Sequence, residues 1–437
     1  MSKSIKSQAS ILSKLGIAKL NPMQLEAQAV IATENEVIVL SPTGTGKTLA
    51  FLLPLIEALD WACEEIQLVI IVPSRELAIQ IEQVMREMGT GFKVNAVYGG
   101  RSGSKDRLEI KHRPAVLIGT PGRVADHLRR EAFYTGNIKT LVLDEFDKSL
   151  QIGFEGDMME IIQLLPRVSK KVLTSATQGV EVPPFIGLNK PTTLDYLDEK
   201  ISELEIKTVI SPSKDKLDTL LELIGHIGNQ NGIIFCNYKD SIQRVSDFLS
   251  EQNISHGTFY GGMEQIDRER ALIKFRNGTH QLLLATDLAA RGIDVPELKF
   301  IIHYHLPLKS DEFTHRNGRT ARMNSKGIAY VLKYENENLP SFIGNLPTEK
   351  LNKSKLPKTS GWCTLFISGG RKDKISKGDV AGLFFKQGHL TKDELGVIEL
   401  KNDCAFVAVK TGTVKSLIPN VNNVKLKKKK VRVSLID

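Results

Sequence analysis

Short apolar, β-branched runs recur along this chain with helix-length segments between them. A first set comprises Glu36–Leu40, Leu68–Val72, Val94–Tyr98, Ala115–Thr120, Thr140–Asp144 and Lys171–Ser175; a second comprises Gly232–Cys236, Gln281–Thr286, Phe300–His305 and Ile328–Leu332. Near-continuous apolar strands alternating with helices bury both faces of a parallel sheet, joined by right-handed crossovers. The polar stretch around Ser202–Lys214 divides the sets, so the pattern predicts two α/β domains. No apolar run approaches the roughly 18 residues of a membrane helix. The start of the chain has no apolar segment behind its Lys and Ser, which predicts no secretory leader. Four cysteines without a CxxC pair argue against a zinc site or disulfide frame and suit a reduced, cytoplasmic setting.

Charge is unevenly placed. The 437 residues carry a net +9, and from Gly361 onward 15 Lys and Arg face 7 Asp and Glu. A basic surplus confined to one end predicts a module that meets a polyanion. Residues 335–361, polar and containing Pro340, Pro347 and Pro357, read as a partly extended, flexible tether. Beyond it, Thr364–Ser368, Lys377–Lys386, Leu395–Leu400, Cys404–Lys410, Thr413–Ile418 and Val431–Leu435 give a βαββαβ order. That is the topology of small α+β RNA-recognition modules. Phe366 and Phe406 are the aromatics available for base stacking, and both suit a core equally well. The expected domains are 1–204, 205–345, a linker 346–360, and 361–437.

Three motifs carry chemistry. Ser41-Pro-Thr43-Gly44-Thr45-Gly46-Lys47-Thr48 follows a strand and opens a helix. Its glycines let backbone N–H groups wrap phosphate oxygens at a positive helix end, with Lys47 for the outer phosphates and the Thr48 hydroxyl for Mg²⁺. Asp144-Glu145 ends a buried strand, where Asp144 would hold Mg²⁺ partly through water and Glu145 would orient the attacking water. Arg316, Arg319 and Arg322 are spaced by three, so in a helix or helical turn they share one face, where guanidinium forks suit a polyphosphate. Lying in the second α/β segment, they would meet a nucleotide held by the first.

These elements stand in an ordered set with Gln24, Pro73–Ala78, Gly99-Gly100, Thr120–Arg123, Asp144–Asp147, Ser175–Thr177, Ile234–Cys236, Gln243-Arg244, Ala285–Asp294 and His315–Arg322. From about Leu15 to Leu332 the chain resembles the DEAD-box RNA helicases. The resemblance implies two RecA-like domains, ATP and Mg²⁺ as cofactors, RNA-dependent ATP hydrolysis, and local strand separation. It implies catalytic roles for Lys47, Asp144, Glu145, Arg319 and Arg322, adenine reading by Gln24, and ribose contact by Asp294. The implied RNA contacts are Arg75, Gly100, Thr120, Gly122 and Arg123 in one domain, and Gln243, Arg244, Thr286 and Arg291 in the other. Asp147, Ser175, Thr177 and His315 would couple nucleotide to RNA.

The pattern also departs from the family. Phe146 replaces Ala in the name-giving motif, no aromatic precedes Phe51 to stack on adenine, Asn317 replaces an apolar residue and Ala321 a Gly. Thr364–Leu435 resembles the DbpA-type RNA-binding domains, implying contacts through Arg371, Lys372 and Lys374 with large-subunit ribosomal RNA and pre-ribosomal particles, no membrane partner, and a monomer. Two rivals, a non-hydrolysing RNA clamp and a DNA helicase, are disfavoured by the retained Lys47, acids and arginines and by the RNA-type terminal module.

Overall fold

A computed structural model describes the chain except for residues 1–6, 101–102, 152, 178–180, 198–202, 288–294, 296–297, 322–325, 353, 358–359 and 437. The chain forms two compact units, the second beginning at Glu203.

In the first unit, β1 (Glu36–Leu40), β2 (Leu68–Ile71), β3 (Val94–Val97), β4 (Val116–Gly119), β5 (Thr140–Leu143), β6 (Lys170–Ser175) and β7 (Thr192–Asp195) form one sheet. Its order is β3-β4-β2-β5-β6-β1-β7 and every pairing is parallel. Side chains alternate across a strand, so one strand feeds two cores: Val37 and Val39 join one buried cluster and Ile38 the other. Helices cover both faces, which is why the central strands read as unbroken apolar runs. Because the strands run the same way, the segments following β1, β5 and β6 emerge on one edge, as do those following β2, β3 and β4.

The second unit begins with another parallel sheet. It contains β8 (Glu203–Ser211), β9 (Gly232–Phe235), β10 (His256–Phe259), β11 (Leu282–Ala285), β12 (Phe300–His303) and β13 (Lys326–Tyr334), ordered β10-β11-β9-β12-β13-β8. Strand β8 occupies much of the stretch whose polarity reads as a divider. It pairs along its whole length with β13, from Glu203–Lys326 to Ser211–Tyr334. Strands β7 and β10 are likewise absent from the apolar pattern.

The proline-bearing segment after β13 departs from the flexible tether expected of it. Thr208 N–H donates to Pro347 O and Glu349 N–H to Thr208 O, both at 2.8 Å. Lys207 Nζ meets the Glu349 carboxylate at 2.6 Å. Ile343 is buried with Phe313 and Val331, and Leu351 packs on the core under the sheet. Polar composition misleads here because backbone hydrogen bonds, which every residue can make, act together with a few isolated apolar and charged side chains to fix the segment.

The terminal module contains β14 (Trp362–Ile367), β15 (Leu395–Leu400), β16 (Ala405–Lys410), β17 (Val424–Leu426), β18 (Lys429–Val431) and β19 (Val433–Leu435). Four strands form an antiparallel sheet, β15-β16-β14-β19, and β17-β18 is a separate hairpin. Helices Lys377–Lys386 and Val414–Val421 complete the expected βαββαβ order. The hairpin breaks the single last strand expected from Val431 onward.

Candidate active site

The phosphate loop is already closed on itself. Gly44 and Gly46 take φ of 84° and 85°, a region that side chains disfavour. A Cβ on Gly46 would lie 2.3 Å from Gln24 Nε2, so a larger residue would be strained in the backbone and would push the Gln24 amide aside. Ser41 Oγ donates to Thr45 Oγ1 at 2.8 Å, which donates in turn to Pro42 O at 3.0 Å. The buried Lys47 ammonium donates to the carbonyls of Ser41 and Pro42, the latter at 2.9 Å. Burial drives its pKa down to about 8, against the pull of Glu145 and Asp144. Thr48, next on the helix Lys47–Glu57, is half-buried beside it.

Gln24 is tied to this loop. Asn21 and Gln24 form a reciprocal cap at the start of the helix Pro22–Thr33, with Gln24 N–H to Asn21 Oδ1 at 2.8 Å and Asn21 N–H to Gln24 Oε1 at 3.0 Å. The same side chains reach the loop: Asn21 Nδ2 donates to Thr45 O (2.9 Å) and Gln24 Nε2 to Gly46 O (3.2 Å). Asn21 is absent from the site expected from the motifs, although an Asn three residues before a Gln is the sequence signature of such a cap.

Acids crowd the end of β5. Burial, reinforced by the charge of Glu145, pushes Asp144 up to about 6, and Thr174 and Lys47 only partly offset it. Burial also raises Asp147. Thr174 Oγ1 donates to Asp144 Oδ1 and accepts from Glu145 N–H at 3.1 Å. That bond helps hold Glu145 at φ 50°. The fully buried Lys148 lies 2.9 Å from Glu145 Oε2. Neither Thr174 nor Lys148 is marked by the motif pattern. Among the described residues no group of three or more His, Cys, Asp or Glu converges on one point. A Mg²⁺ ion beside Asp144 and Thr48 would therefore draw most of its ligands from water and phosphate, and the crowded, proton-hungry acids suit such a cation.

Phe146 finds its room in the core. It is 1% exposed and belongs to the buried cluster that includes Leu143, Met158, Ile161 and Leu173. Beyond it Asp147 keeps its reach: Thr177 Oγ1 donates to Asp147 Oδ2 at 3.1 Å, and Ser175 Oγ accepts from Thr177 N–H at 3.1 Å.

The implied RNA residues of the first unit cluster at the ends of β2, β3 and β4. Arg75 lies along Gly99 and Gly100, so close that a Cβ on Gly100 would fall 2.6 Å from its Nη1. Thr120 precedes the helix Pro121–Arg129, and Gly122 lies against Asp157. Arg123 Nε donates at 2.8 Å to Asp106, a wholly buried carboxylate that sequence alone does not mark.

In the second unit the helix Ser310–Asn317 carries Arg316 and stops before Arg319, which follows it in a turn. Arg316 is 1% exposed. Its guanidinium grips Asp287 in a fork (2.6 and 2.5 Å) and donates to His305 O (2.7 Å) and Asn237 Oδ1 (2.8 Å). These partners follow β11, β12 and β9, so Arg316 ties three adjacent strand ends together and is a frame residue. Arg319 is also buried, its N–H bonded to Arg316 O at 3.1 Å. Asn317 meets His303 Nε2 at 3.0 Å, and Ala321 adopts φ 51°, where a glycine would be unstrained. His315 is buried on the same helix. Gln243 and Arg244 lie on the helix Lys239–Glu251, bonded to Asp247 (2.8 Å) and Asp215 (2.5 Å) respectively. Thr286 follows β11. Arg291, Asp294 and Arg322 lie outside the described residues.

The DEAD/DEAH box helicase family matches residues 21–183. ATP-dependent RNA helicase DbpA of Escherichia coli (strain K12) is 30% identical over 98% of this chain and 97% of its own length. The chain belongs to the DEAD-box RNA helicases. It is an ATP-using, RNA-dependent ATPase that binds and unwinds RNA. The helicase conserved C-terminal domain matches residues 215–324 and the DbpA RNA binding domain residues 364–435. DbpA of Bacillus subtilis (strain 168) is 28% identical over 96% of this chain and 95% of its own. Among solved structures, S. cerevisiae Dbp5 bound to RNA and ADP BeF3 superposes with a TM-score of 0.69 at 27% identity, covering 76% of this chain and 90% of that one. No helix among the described residues is long and apolar enough to cross a membrane.

Proposed function

We propose that this helicase remodels structured large-subunit ribosomal RNA during ribosome assembly, in the cytoplasm and as a monomer. One observation carries the assignment of RNA type: a basic loop braced on the terminal module. Arg371 and Lys372 donate their N–H groups to Lys401 O (3.0 Å) and Asn402 O (2.8 Å), and Lys429 Nζ clamps Asp373 at 2.9 Å. Arg371, Lys372 and Lys374 are thereby presented from a fixed turn beside the Lys-rich hairpin. A preset array of cations binds a particular fold of phosphate backbone better than a floppy one, with strong salt dependence. Similarity to two full-length DbpA helicases supports the same reading.

In the catalytic reading, Lys47 exchanges the two loop carbonyls for phosphate oxygens when ATP enters. Thr48 and Asp144 would hold Mg²⁺, which would supply charge neutralisation at the phosphates. Glu145, fixed by Thr174 and beside Lys148, accepts the proton of the attacking water. Arg319 and Arg322 are assigned to the γ-phosphate, Asp294 to the ribose, and Gln24 to adenine, for which it must release Gly46 O. Arg75, Gly100, Thr120, Gly122 and Arg123, with Gln243, Arg244, Thr286 and Arg291, are assigned to RNA phosphates. Ser175, Thr177, Asp147 and His315 carry the coupling between the two ligands.

Cross-linking the protein to cellular RNA and sequencing the attached fragments tests the substrate. Reads concentrated in large-subunit ribosomal RNA are expected, and reads spread over messenger RNAs would defeat the assignment.

A further inference from the structure

The RNA contacts assigned to the first RecA-like domain come largely from two turns at one edge of its sheet. Gly99-Gly100 follows β3 and precedes the helix Gly103–Ile110, and Thr120 follows β4 and precedes the helix Pro121–Arg129. Arg123, on the second helix, is the cation of that second turn. A guanidinium on a long stem has many orientations open to it, so what holds it decides what it can grip.

What holds Arg123 is a carboxylate from the neighbouring helix. Asp106, on Gly103–Ile110, is 0% exposed. Its Oδ2 accepts from Arg123 Nε at 2.8 Å, and His127 Nε2 stands 3.5 Å from the same oxygen. Arg123 and His127 are four apart on one helix, so a single acid meets two successive turns of it. Of these three side chains only Arg123 reaches the surface, with 17% of its side chain exposed. An ion pair this deep persists only with good geometry and further polar neighbours, and here both a guanidinium and an imidazole lie against one oxygen. Asp106 engages Nε, next to the stem. The terminal nitrogens lie at the first residue of the Asp106 helix, where a Cβ on Gly103 would fall 3.2 Å from Nη2 and 3.7 Å from Nη1. Asp126, a second carboxylate near Arg123, stands farther off at 3.8 Å from Nη1, and it accepts from Arg130 at 2.7 Å.

We propose that Asp106 is a positioning residue for RNA binding: from below the surface it aims Arg123 at a backbone phosphate, and His127 braces the acid. An arginine already held in one orientation meets a phosphate without first giving up its rotamer freedom. The role rests on the reading of Arg123 as an RNA contact. Its sign sets it apart from plain charge. Removing a negative charge beside a polyanion's binding site should by itself strengthen binding, whereas removing a carboxylate that aims the cation should weaken it.

The test measures the Kd of the full-length chain for a short fluorescent polyuridine in the presence of a nonhydrolysable MgATP analogue. Asp106→Ala should raise that Kd about tenfold, the scale of one charge-assisted hydrogen bond. Affinity for the analogue, measured without RNA, should stay at the parent value. Asp106→Asn keeps an acceptor but no charge, so its Kd should fall between those of Asp106→Ala and the parent; it also serves alone if Asp106→Ala does not fold. A Kd at or below the parent's in either variant overturns the proposal. So does a matching loss of analogue affinity, which marks a domain loosened as a whole. Asp106→Ala/Arg123→Ala should bind no more weakly than Arg123→Ala, because Asp106 acts through Arg123; a double variant markedly worse than Arg123→Ala also overturns it. Arg123→Ala itself separates the two ideas. If it binds as the parent does, the reading of Arg123 as an RNA contact falls and the positioning role falls with it. If it binds weakly while both Asp106 variants bind as the parent does, the positioning role alone fails.

Discussion

Both α/β sheets bury charge at the carboxyl ends of their central strands, but they treat it differently. In the second domain Arg316 meets a forked carboxylate, an amide oxygen and a backbone carbonyl, all at 2.8 Å or less. In the first, Lys47 rests on two loop carbonyls with its pKa lowered to about 8, while Asp144 rises to about 6. A charge matched by fixed partners acts as a frame. Charges held away from their ordinary pKa values beside a glycine loop suit a ligand that brings its own charge.

That contrast predicts different failures. Lys47→Ala should lower RNA-stimulated phosphate release about a thousandfold, in line with loss of a preorganised charge contact to a transition state, with little change in urea midpoint. Arg316→Ala should do the reverse first, lowering unfolding free energy by about 3–5 kcal/mol through the buried partner it strands; an unchanged midpoint would remove Arg316 from the frame. Phe146→Ala should cost about 3 kcal/mol of stability by leaving a cavity, yet keep hydrolysis within a few-fold, because Asp147 and Thr177 still bond. Denaturant titration and steady-state hydrolysis of the same preparation check it.

A smaller effect follows from protons. Lys47 loses its charge as pH rises through about 8, well below the ordinary 10.5. A bound triphosphate restores the charged form, so MgATP binding above pH 8 should take up a proton and weaken by up to about tenfold per pH unit. Calorimetry in two buffers of different ionisation enthalpy reads that uptake directly. Zero uptake at pH 9 would mean Lys47 keeps its charge in the empty loop.

The sequence foretold the centre of each sheet better than its margins. Strands β1, β2, β5, β9, β11 and β12 are buried on both faces and read as apolar runs. Strands β7, β8 and β10 lie at sheet edges, where one side faces solvent and residues such as Glu203, Lys207 and His256 interrupt the pattern. Edge strand β3 was legible because its Val94, Ala96 and Val97 are buried. The loop lysine and the acids were legible because phosphate chemistry admits few residues at that spacing. Spacing alone groups Arg316 with Arg319, and its framing role is not legible there because its partners, Asn237, Asp287 and His305, come from remote parts of the chain. The contact between the terminal module and the helix Gln265–Arg276 was hidden for the same reason: Arg276 holds Glu399 in a fork at 2.6 and 2.8 Å, and both are unremarkable until the fold joins them.

Phosphate release from the intact chain with MgATP, with and without RNA, alongside Lys47→Ala and Arg316→Lys, tests the division between a ligand-seeking charge and a framing one. RNA-dependent release is expected in the parent, none above background in Lys47→Ala, and substantial release in folded Arg316→Lys. Release from Lys47→Ala equal to the parent's, or a parent rate indifferent to RNA, would contradict that division.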